Sequence, residues 1–512
     1  MKTYKLYLVL SISIITTFFG CNDAIDIDQP GRLDAENAFR TVDDLNSGLL
    51  SLYDDLDTTA EIALASNFTD EISIGAGTGG QGFAVYDFVL NAASAGAENF
   101  WERNYRVNNR ATVLIESANV VDVASEDVSR FNNIIAQARA IRAYANLEML
   151  TYFSTNPADD AALAVPVIDF VPSNVTIQPL RNTVGELWDY INNDLIEAES
   201  LINNESSVVF ISKDAVKALR ARAALVREDF TTALSLATDL YNKYPLASKD
   251  NYIDMFLDNS AGEVIFKLER TRNDNHDGQV STGSIDTRRF TADTDANPYA
   301  GWVGSVYTFE SIQAAGYFEM DRSLYNAFEP NDVRLEVNVS PASSIDPDYM
   351  DNPDASFGTD QIIISKYPGS EAQPLMNDLK VFRSSEMLFI MAEAQVRLNN
   401  NLSAAANLLK ELRDIRLGAD TPLLSFNSAQ EALGAILDEK RLEFAFEGHR
   451  YRDLKRIGTL ANRGVDRDET DCNRQSGACT LPASDFRFTL PIPISEINAN
   501  PPIGEQQNPG YN

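Results

Sequence analysis

Residues 439–456 read EKRLEFAFEGHRYRDLKR, a run in which charged side chains are interleaved with Phe, Tyr and Leu. Taken as a helix, it stacks Glu439, Glu443 and Glu447 at i, i+4 spacing, where exposed like charges repel one another. Arg441, Arg450 and Arg452 lie close by in sequence. The spacing predicts a charge network with neighbouring helices, in which bidentate Arg–carboxylate pairs fix geometry. Contact of these carboxylates with a ligand is the alternative.

Upstream of this run the chain reads as mainly helical. Thr41 opens a helix to about Leu56, with Leu45, Leu49, Leu52 and Tyr53 on one face. Residues 99–120 and 129–153 carry apolar side chains at helical spacing, and Thr183 caps a helix to Asn203. Trp101 and Trp188 fall at core positions. Lys213–Val226 and Phe230–Lys243 form a pair joined by Arg227-Glu228-Asp229, and Asp229, Phe230, Ala233 and Pro245 match the second half of a tetratricopeptide repeat. Ser384–Leu398 and Leu402–Ile415 form a second pair. Leu402, Ala405 and Leu409 fall where Phe230, Ala233 and Ala237 fell, too far downstream for a regular solenoid. The fold class is therefore all-α: tetratricopeptide-like helix pairs with a large loop-rich insertion and a few short β-strands.

The insertion spans about 259–380, is rich in Asp, Asn, Gly, Ser, Tyr and Pro, and holds β-like runs at Glu263–Leu268 and Gln361–Lys366. Loops this long in a compact protein are usually functional. The tail at 486–494 reads as strand-like, and the segment from Asn500 onward as irregular.

The N-terminus is not fold. Lys2 and Lys5 precede an apolar run, Leu6 to Phe19, and Gly20-Cys21 follows. The run is too short to span a bilayer, which takes about 20 residues, and has the form of a secretion signal. Cleavage before Cys21 and lipidation of its thiol is the expected processing, although Phe18 stands where Leu is more usual; a plain signal peptide is the alternative. Several acyl chains on one cysteine suffice for stable anchoring. Residues 1–21 are read as signal peptide, 22–34 as an acidic tether broken at Pro30-Gly31, and 35–512 as a single domain. Cys472 and Cys479 bracket a short Gly-containing loop and, in an oxidising compartment, most simply pair as a disulfide. A metal site there would need two more ligands, and the chain has only His276 and His449.

Acidic residues number 75 against 42 basic, a net charge of −33. Such a surface repels phosphate backbones, so nucleic acid is excluded as a partner.

Residues 439–456 resemble the signature segment of the SusD/RagB family. The closing run Leu490–Pro501, followed by Gln507-Asn-Pro-Gly-Tyr511, is similar to that family's end, and so is the order of parts along the chain. The resemblance implies a helical fold on tetratricopeptide-like pairs topped by variable loops. It also implies a lipid-anchored protein on the outer membrane that captures glycans, or in some members peptides, without catalysis. Such proteins pass their cargo to a SusC-type TonB-dependent transporter, and most belong to Bacteroidetes.

Sugars offer patches of C–H, which suit aromatic faces, and hydroxyls, which suit Asn, Asp and Arg. The ligand candidates are therefore loop aromatics. Trp302 lies in Asn297-Pro-Tyr-Ala-Gly-Trp-Val-Gly, flanked by glycines, with Tyr299 and Tyr307 close by; anchoring of the loop is its alternative role. Phe83 and Tyr86 follow the run Gly75–Gly82, which lacks the Lys-Ser/Thr of a phosphate loop. Asn67, Asp70, Arg288 and Arg289 are the polar candidates. No cofactor is expected, and no metal: the alternating Asp293, Asp295 and Asn297 resemble the start of a calcium loop, but Pro298 occupies the position that needs glycine. A surface glycosidase would need two carboxylates roughly 5–10 Å apart in a cleft. A purely protein-binding scaffold is the remaining reading.

Overall fold

The computed structural model describes residues 39–78, 82–171, 177–204, 207–272, 302–308, 316–351, 359–473 and 477–511. The signal segment, Cys21, the tether, Tyr299, Arg288, Arg289 and the aspartates near 293 lie outside the described residues.

Helix α1 (Val42–Asp55) begins where Thr41 and Asp44 close a reciprocal capping box, satisfying amides that a helix start leaves unpaired. Leu45, Leu49 and Leu52 point inward from it. After α2 (Thr59–Phe68), strand β1 (Ile72–Ile74) and the one-turn α3 (Phe83–Tyr86) come the long α4 (Ala95–Ser117) and α5 (Val128–Phe153). Helix α5 is buried almost all round from Ile134 onward, because it lies between α4 and α6 (Val184–Leu201). Among the polar side chains it buries, Arg142 is partnered by Asp194 and Asn146 by Asn108. A second capping box, Thr183 with Glu186, starts α6.

The helix pairs follow the sequence closely. Helices α7 (Lys213–Val226) and α8 (Phe230–Lys243) turn at Glu228, which takes a left-handed φ of 59°, and Asp229 caps α8 by accepting from the Thr232 amide. Ala233 and Ala237 are wholly buried, and their small side chains let α8 approach its neighbours. Helix α9 (Lys249–Phe256) and strand β2 (Val264–Leu268) lead into the insertion. Within it stand β3 (Phe318–Met320), α10 (Arg322–Ala327) and α11 (Val333–Asn338). Strand β4 (Leu379–Arg383) closes it by pairing antiparallel with β2, Val264 opposite Arg383 and Leu268 opposite Leu379. The insertion is thus tied at its base, and the main chain resumes with α12 (Ser384–Asn399), α13 (Leu402–Leu417) and α14 (Ala429–Glu443). Helix α12 packs on α8, so the two pairs meet in space.

Four expectations need correction. Gln361–Lys366 forms only isolated bridges, to Glu319, Val339 and Ser344. Residues 486–494 make a single 3-10 turn, Phe486–Phe488, run on to Pro493 without pairing to a strand among the described residues, and enter a short helix at Ile494. Side chains supply what a ladder would have: Gln507 exchanges two hydrogen bonds with the backbone of Ile492, and Asn508 donates to the Leu490 carbonyl. The segment beyond Asn500 is not wholly irregular either, since Pro501–Gln506 forms a 3-10 helix.

The fourth correction concerns 439–456. Helix α14 ends at Glu443, and the chain turns through left-handed Phe446 (φ 66°) and Gly448 (φ 83°). Glu447 therefore sits in a turn rather than one helical turn above Glu443. The charge network is present, but most partners of the glutamates come from distant elements. Arg334 meets Glu439 at 2.7 Å, and Arg383 and Arg416 each bridge Glu443 and Glu263. Arg383 and Lys366 both reach Glu447 at 3.0 Å. Buried ion pairs seldom add net stability, but breaking one strands a charge. This network joins the base of the insertion, the second helix pair and the signature turn. The sequence-adjacent arginines go elsewhere: Arg450 to Asp70, and Arg452 to His449 and Glu148.

Trp101 is buried and donates to Glu496, and Trp188 lies half-buried under the Arg227 guanidinium. Among the described residues no helix is long and apolar enough to cross a membrane.

Candidate functional site

The Gly-rich run singled out in the sequence meets a part of the insertion that was not. Strand β1 pairs with β3, Ile72 opposite Met320 and Ile74 opposite Phe318. The pairing continues as the Gly75 amide donates to the Tyr317 carbonyl (2.8 Å) and the Gly77 amide to the Gly316 carbonyl (3.0 Å). The backbones approach so closely that a Cβ on Gly75 would run into the Gly316 carbonyl. This contact lays the Gly-rich run beside the chain that follows Tyr307.

Several side chains proposed as ligand contacts face inward instead. Trp302 is 4% exposed and packs on Leu375 and Met376. Gly304 does not expose it: there is no room for a Cβ there because the chain folds tightly against Leu375 and Tyr367. Tyr307 is 2% exposed, with its hydroxyl 2.9 Å from Ser66 Oγ and its ring edge-on to Phe446. Tyr86 is wholly buried beneath the Arg467 guanidinium, 3.7 Å from the ring centre. Asp70 is gripped by Arg450 through two bonds of 2.8 Å and is also approached by Arg441. Burial alone would raise the Asp70 carboxyl, but these two guanidinium groups hold it down at about 2. These four residues are therefore structural.

Asn67 and Phe83 remain at the surface. Asn67, in the last turn of α2, donates from Nδ2 to the Gly82 carbonyl at 3.3 Å. Gly82 takes a left-handed φ of 79° ahead of α3, and a Cβ there would stand 2.7 Å from the edge of the Phe318 ring. Phe83, Tyr317 and Phe318 are each half-exposed. Tyr317 and Phe318 escaped the sequence reading, although they follow Gly316 as a Tyr-Phe pair much as Trp302 follows Gly301. The candidate site is thus a rim around Gly82, where Phe318 and Asn67 approach each other and Phe83 follows, with Tyr317 half-exposed next to Phe318 in the chain. Aromatic faces accept C–H surfaces, so the half-exposed rings have the chemistry to hold the C–H patches of a polyhydroxylated ligand, while Asn67 keeps its Oδ1 buried and its Nδ2 on the Gly82 carbonyl.

Two carboxyls with raised proton affinity lie under this rim. Burial pushes Glu71 up to about 7, and burial with the nearby Asp471 pushes Asp321 up to about 8. Perturbed carboxyls in a cleft suggest catalysis, but both of these are fully enclosed. Glu71 is occupied by Ser66 Oγ, and Asp321 by the Ser323 amide and hydroxyl. They stabilise the fold behind the rim rather than face a substrate. Cys472 and Cys479 stand as a disulfide with Cα atoms 5.2 Å apart, closing the hairpin of β5 (Val465–Asp466) and β6 (Thr480–Leu481).

Residues 271–511 match the model of the SusD family, and residues 51–225 match one described as starch-binding and associating with the outer membrane. This chain belongs to the SusD/RagB family. SusD-like protein P2 of Formosa agariphila is 24% identical across the whole of both chains, and SusD-like protein P38 of the same organism is 23% identical over 89% of this chain and 92% of its own. Among solved structures, a SusD superfamily protein from Bacteroides thetaiotaomicron superposes with a TM-score of 0.73 at 23% identity, covering 92% of this chain and 100% of its own. The surface glycan-binding protein A from Bacteroides fluxus gives 0.67 at 20% identity, covering 92% and 100%. The mainly helical fold is that of the SusD/RagB family.

Proposed function

We propose that this protein is a non-catalytic, lipid-anchored binder of oligosaccharide or polysaccharide on the outer face of the outer membrane, and that it delivers its ligand to a SusC-type TonB-dependent transporter. The observation that carries glycan binding is the rim at the β1–β3 junction, where half-exposed Phe318 and Phe83 adjoin Gly82 and Asn67, with Tyr317 half-exposed as the next residue in the chain, on a SusD/RagB fold. The lipoprotein-like start ending at Cys21 supports the anchoring, and one relative in this fold is named as a surface glycan-binding protein. With a net charge of −33, neutral glycans are favoured over anionic ones.

The test is calorimetric titration of soluble residues 22–512 with neutral glycans, anionic glycans and peptides, followed by chromatography of each mixture. Saturable heat with a neutral glycan, no new products, and loss of that heat in Phe318→Ala are the expected results. New products would overturn the non-catalytic reading in favour of a glycosidase. Binding of peptides alone would move the protein to the peptide-uptake branch of the family.

A further inference from the structure

Arg467 is 3% exposed, and no ion pair joins its guanidinium to any described carboxylate. Burying a cation with no carboxylate in direct contact is expensive even with Asp321, Asp70 and Asp87 nearby, and its hydrogen bonds must offset the lost hydration. They are directed with unusual consistency at backbone carbonyls. Nε donates to Thr69 (2.8 Å), one terminal nitrogen to Tyr86 (2.6 Å) and Ala478 (2.8 Å), and the other to Asn67 (3.2 Å). Asn67 and Thr69 end α2, and Tyr86 ends α3. The last carbonyls of a helix lack partners within it and attract positive charge, so one guanidinium caps both helices. Its plane also lies 3.7 Å from the Tyr86 ring and 4.5 Å from that of Phe88.

These are the two helices that present the rim: Asn67 projects from the last turn of α2, and Phe83 opens α3. Arg467 is held in turn by the disulfide hairpin. Its own amide donates to the Cys479 carbonyl at 3.0 Å, and the Ala478 carbonyl it caps lies within the loop that Cys472 and Cys479 close. A continuous path of bonds therefore runs from the disulfide through one side chain to both edges of the binding face.

We infer that Arg467 is a positioning residue for the ligand face, setting α2 against α3, and that the Cys472–Cys479 hairpin holds it in place. This rests on the glycan-binding reading only for the affinity it affects; the clamp itself is tested separately. Lysine keeps the charge but presents a single nitrogen to four carbonyls spread over three segments, so it cannot replace the planar fork.

The test compares wild type, Arg467→Lys, and the double variant Cys472→Ser with Cys479→Ser, each as soluble 22–512. Hydrogen exchange of backbone amides is followed alongside titration with a panel of neutral oligosaccharides that includes maltoheptaose. In Arg467→Lys, amides at 67–70 and 86–89 should exchange roughly tenfold faster while those of α7 and α8 keep wild-type protection. Affinity for whichever panel sugar binds wild type should fall about tenfold. The cysteine variant should show the same local pattern more weakly, and it carries the test if Arg467→Lys fails to fold. Unchanged exchange at both segments would overturn the inference, as would loss of protection spread evenly over the chain, which marks a merely structural residue. If wild type binds no sugar in the panel, the glycan reading fails while the exchange data still decide the clamp.

Discussion

Arg416 grips Glu443 through two nitrogens, Nε to Oε2 at 3.0 Å and a terminal nitrogen to Oε1 at 2.9 Å, with both side chains wholly out of water. Arg383 shares the same carboxylate, and Glu263 balances both guanidinium groups from the other side. The cluster is closed, so removing one charge leaves the others stranded. Glu443→Gln should cost about 3–5 kcal/mol of stability, read as a lower midpoint in urea unfolding. A change under about 0.5 kcal/mol, the size typical of surface substitutions, would show that the cluster is not needed to hold α13, α14 and the insertion together.

Acid should unfold the protein through its paired carboxylates. The guanidinium partners hold Asp70 at about 2, and Glu443 too lies well below its usual range despite burial. A depressed folded-state pKa contributes stability that is present above the unfolded pKa and lost as pH falls through the folded one. For Asp70 that window runs from 3.8 down to about 2 and is worth roughly 2 kcal/mol. Denaturant midpoints measured from pH 5 to pH 2 should fall, and the fall should be shallower in Asp70→Asn, whose stability at pH 5 is already reduced.

Glu71 and Asp321 act in the opposite direction. Burial raises them to about 7 and about 8, so their contribution is full below the unfolded pKa and is lost as pH rises toward the folded one. Stability should therefore decline from about pH 4.5 to about pH 8. Glu71→Gln should flatten part of that decline; a variant whose slope matches wild type would show that Glu71 is ionised throughout.

Trp302 and Phe318 should separate stability from binding. Trp302→Ala removes a buried ring from Leu375 and Met376 and should cost about 3–5 kcal/mol, with affinity in the folded fraction nearly intact. Phe318→Ala removes a half-exposed ring and should abolish most binding heat at a stability cost of roughly 1–2 kcal/mol. The reverse pattern would move the ligand site into the Trp302 loop.

Gly75→Ala tests the junction itself. The added methyl meets the Gly316 carbonyl, so β1 and the chain before β3 must move apart. Overpacking of this kind costs about 1–3 kcal/mol, and here it should weaken ligand binding as well, because Tyr317 and Phe318 ride on the displaced segment. Wild-type affinity in a folded Gly75→Ala protein would detach the rim from this contact.

The helices were legible because their signals are local. Thr41 and Thr183 begin helices as capping residues, Asp229 and Asn401 do so at the two pairs, and small residues at 233, 237 and 405 mark the faces that pack. The 486–494 segment misled because alternating apolar residues give the same pattern whether a strand or the side chains of Gln507 and Asn508 satisfy the backbone. Glu447 misled because a glycine and a left-handed Phe446 end the helix inside an uninterrupted charged run.

By itself the sequence determined the helical class, the two helix pairs, the insertion between them, and the Gly-rich run beside the candidate site. Each rests on spacing, capping or composition, which act over a few residues. Only the tertiary structure decided which aromatic rings face solvent and which arginine answers which carboxylate. Trp302, Tyr307 and Tyr86 turned inward because Leu375, Ser66 and Arg467 were waiting there, all supplied from elsewhere in the chain. Tyr317 and Phe318 came to the rim because β3 had to pair with β1. Burial is a property of what covers a residue, and the cover here comes from segments far away in the chain.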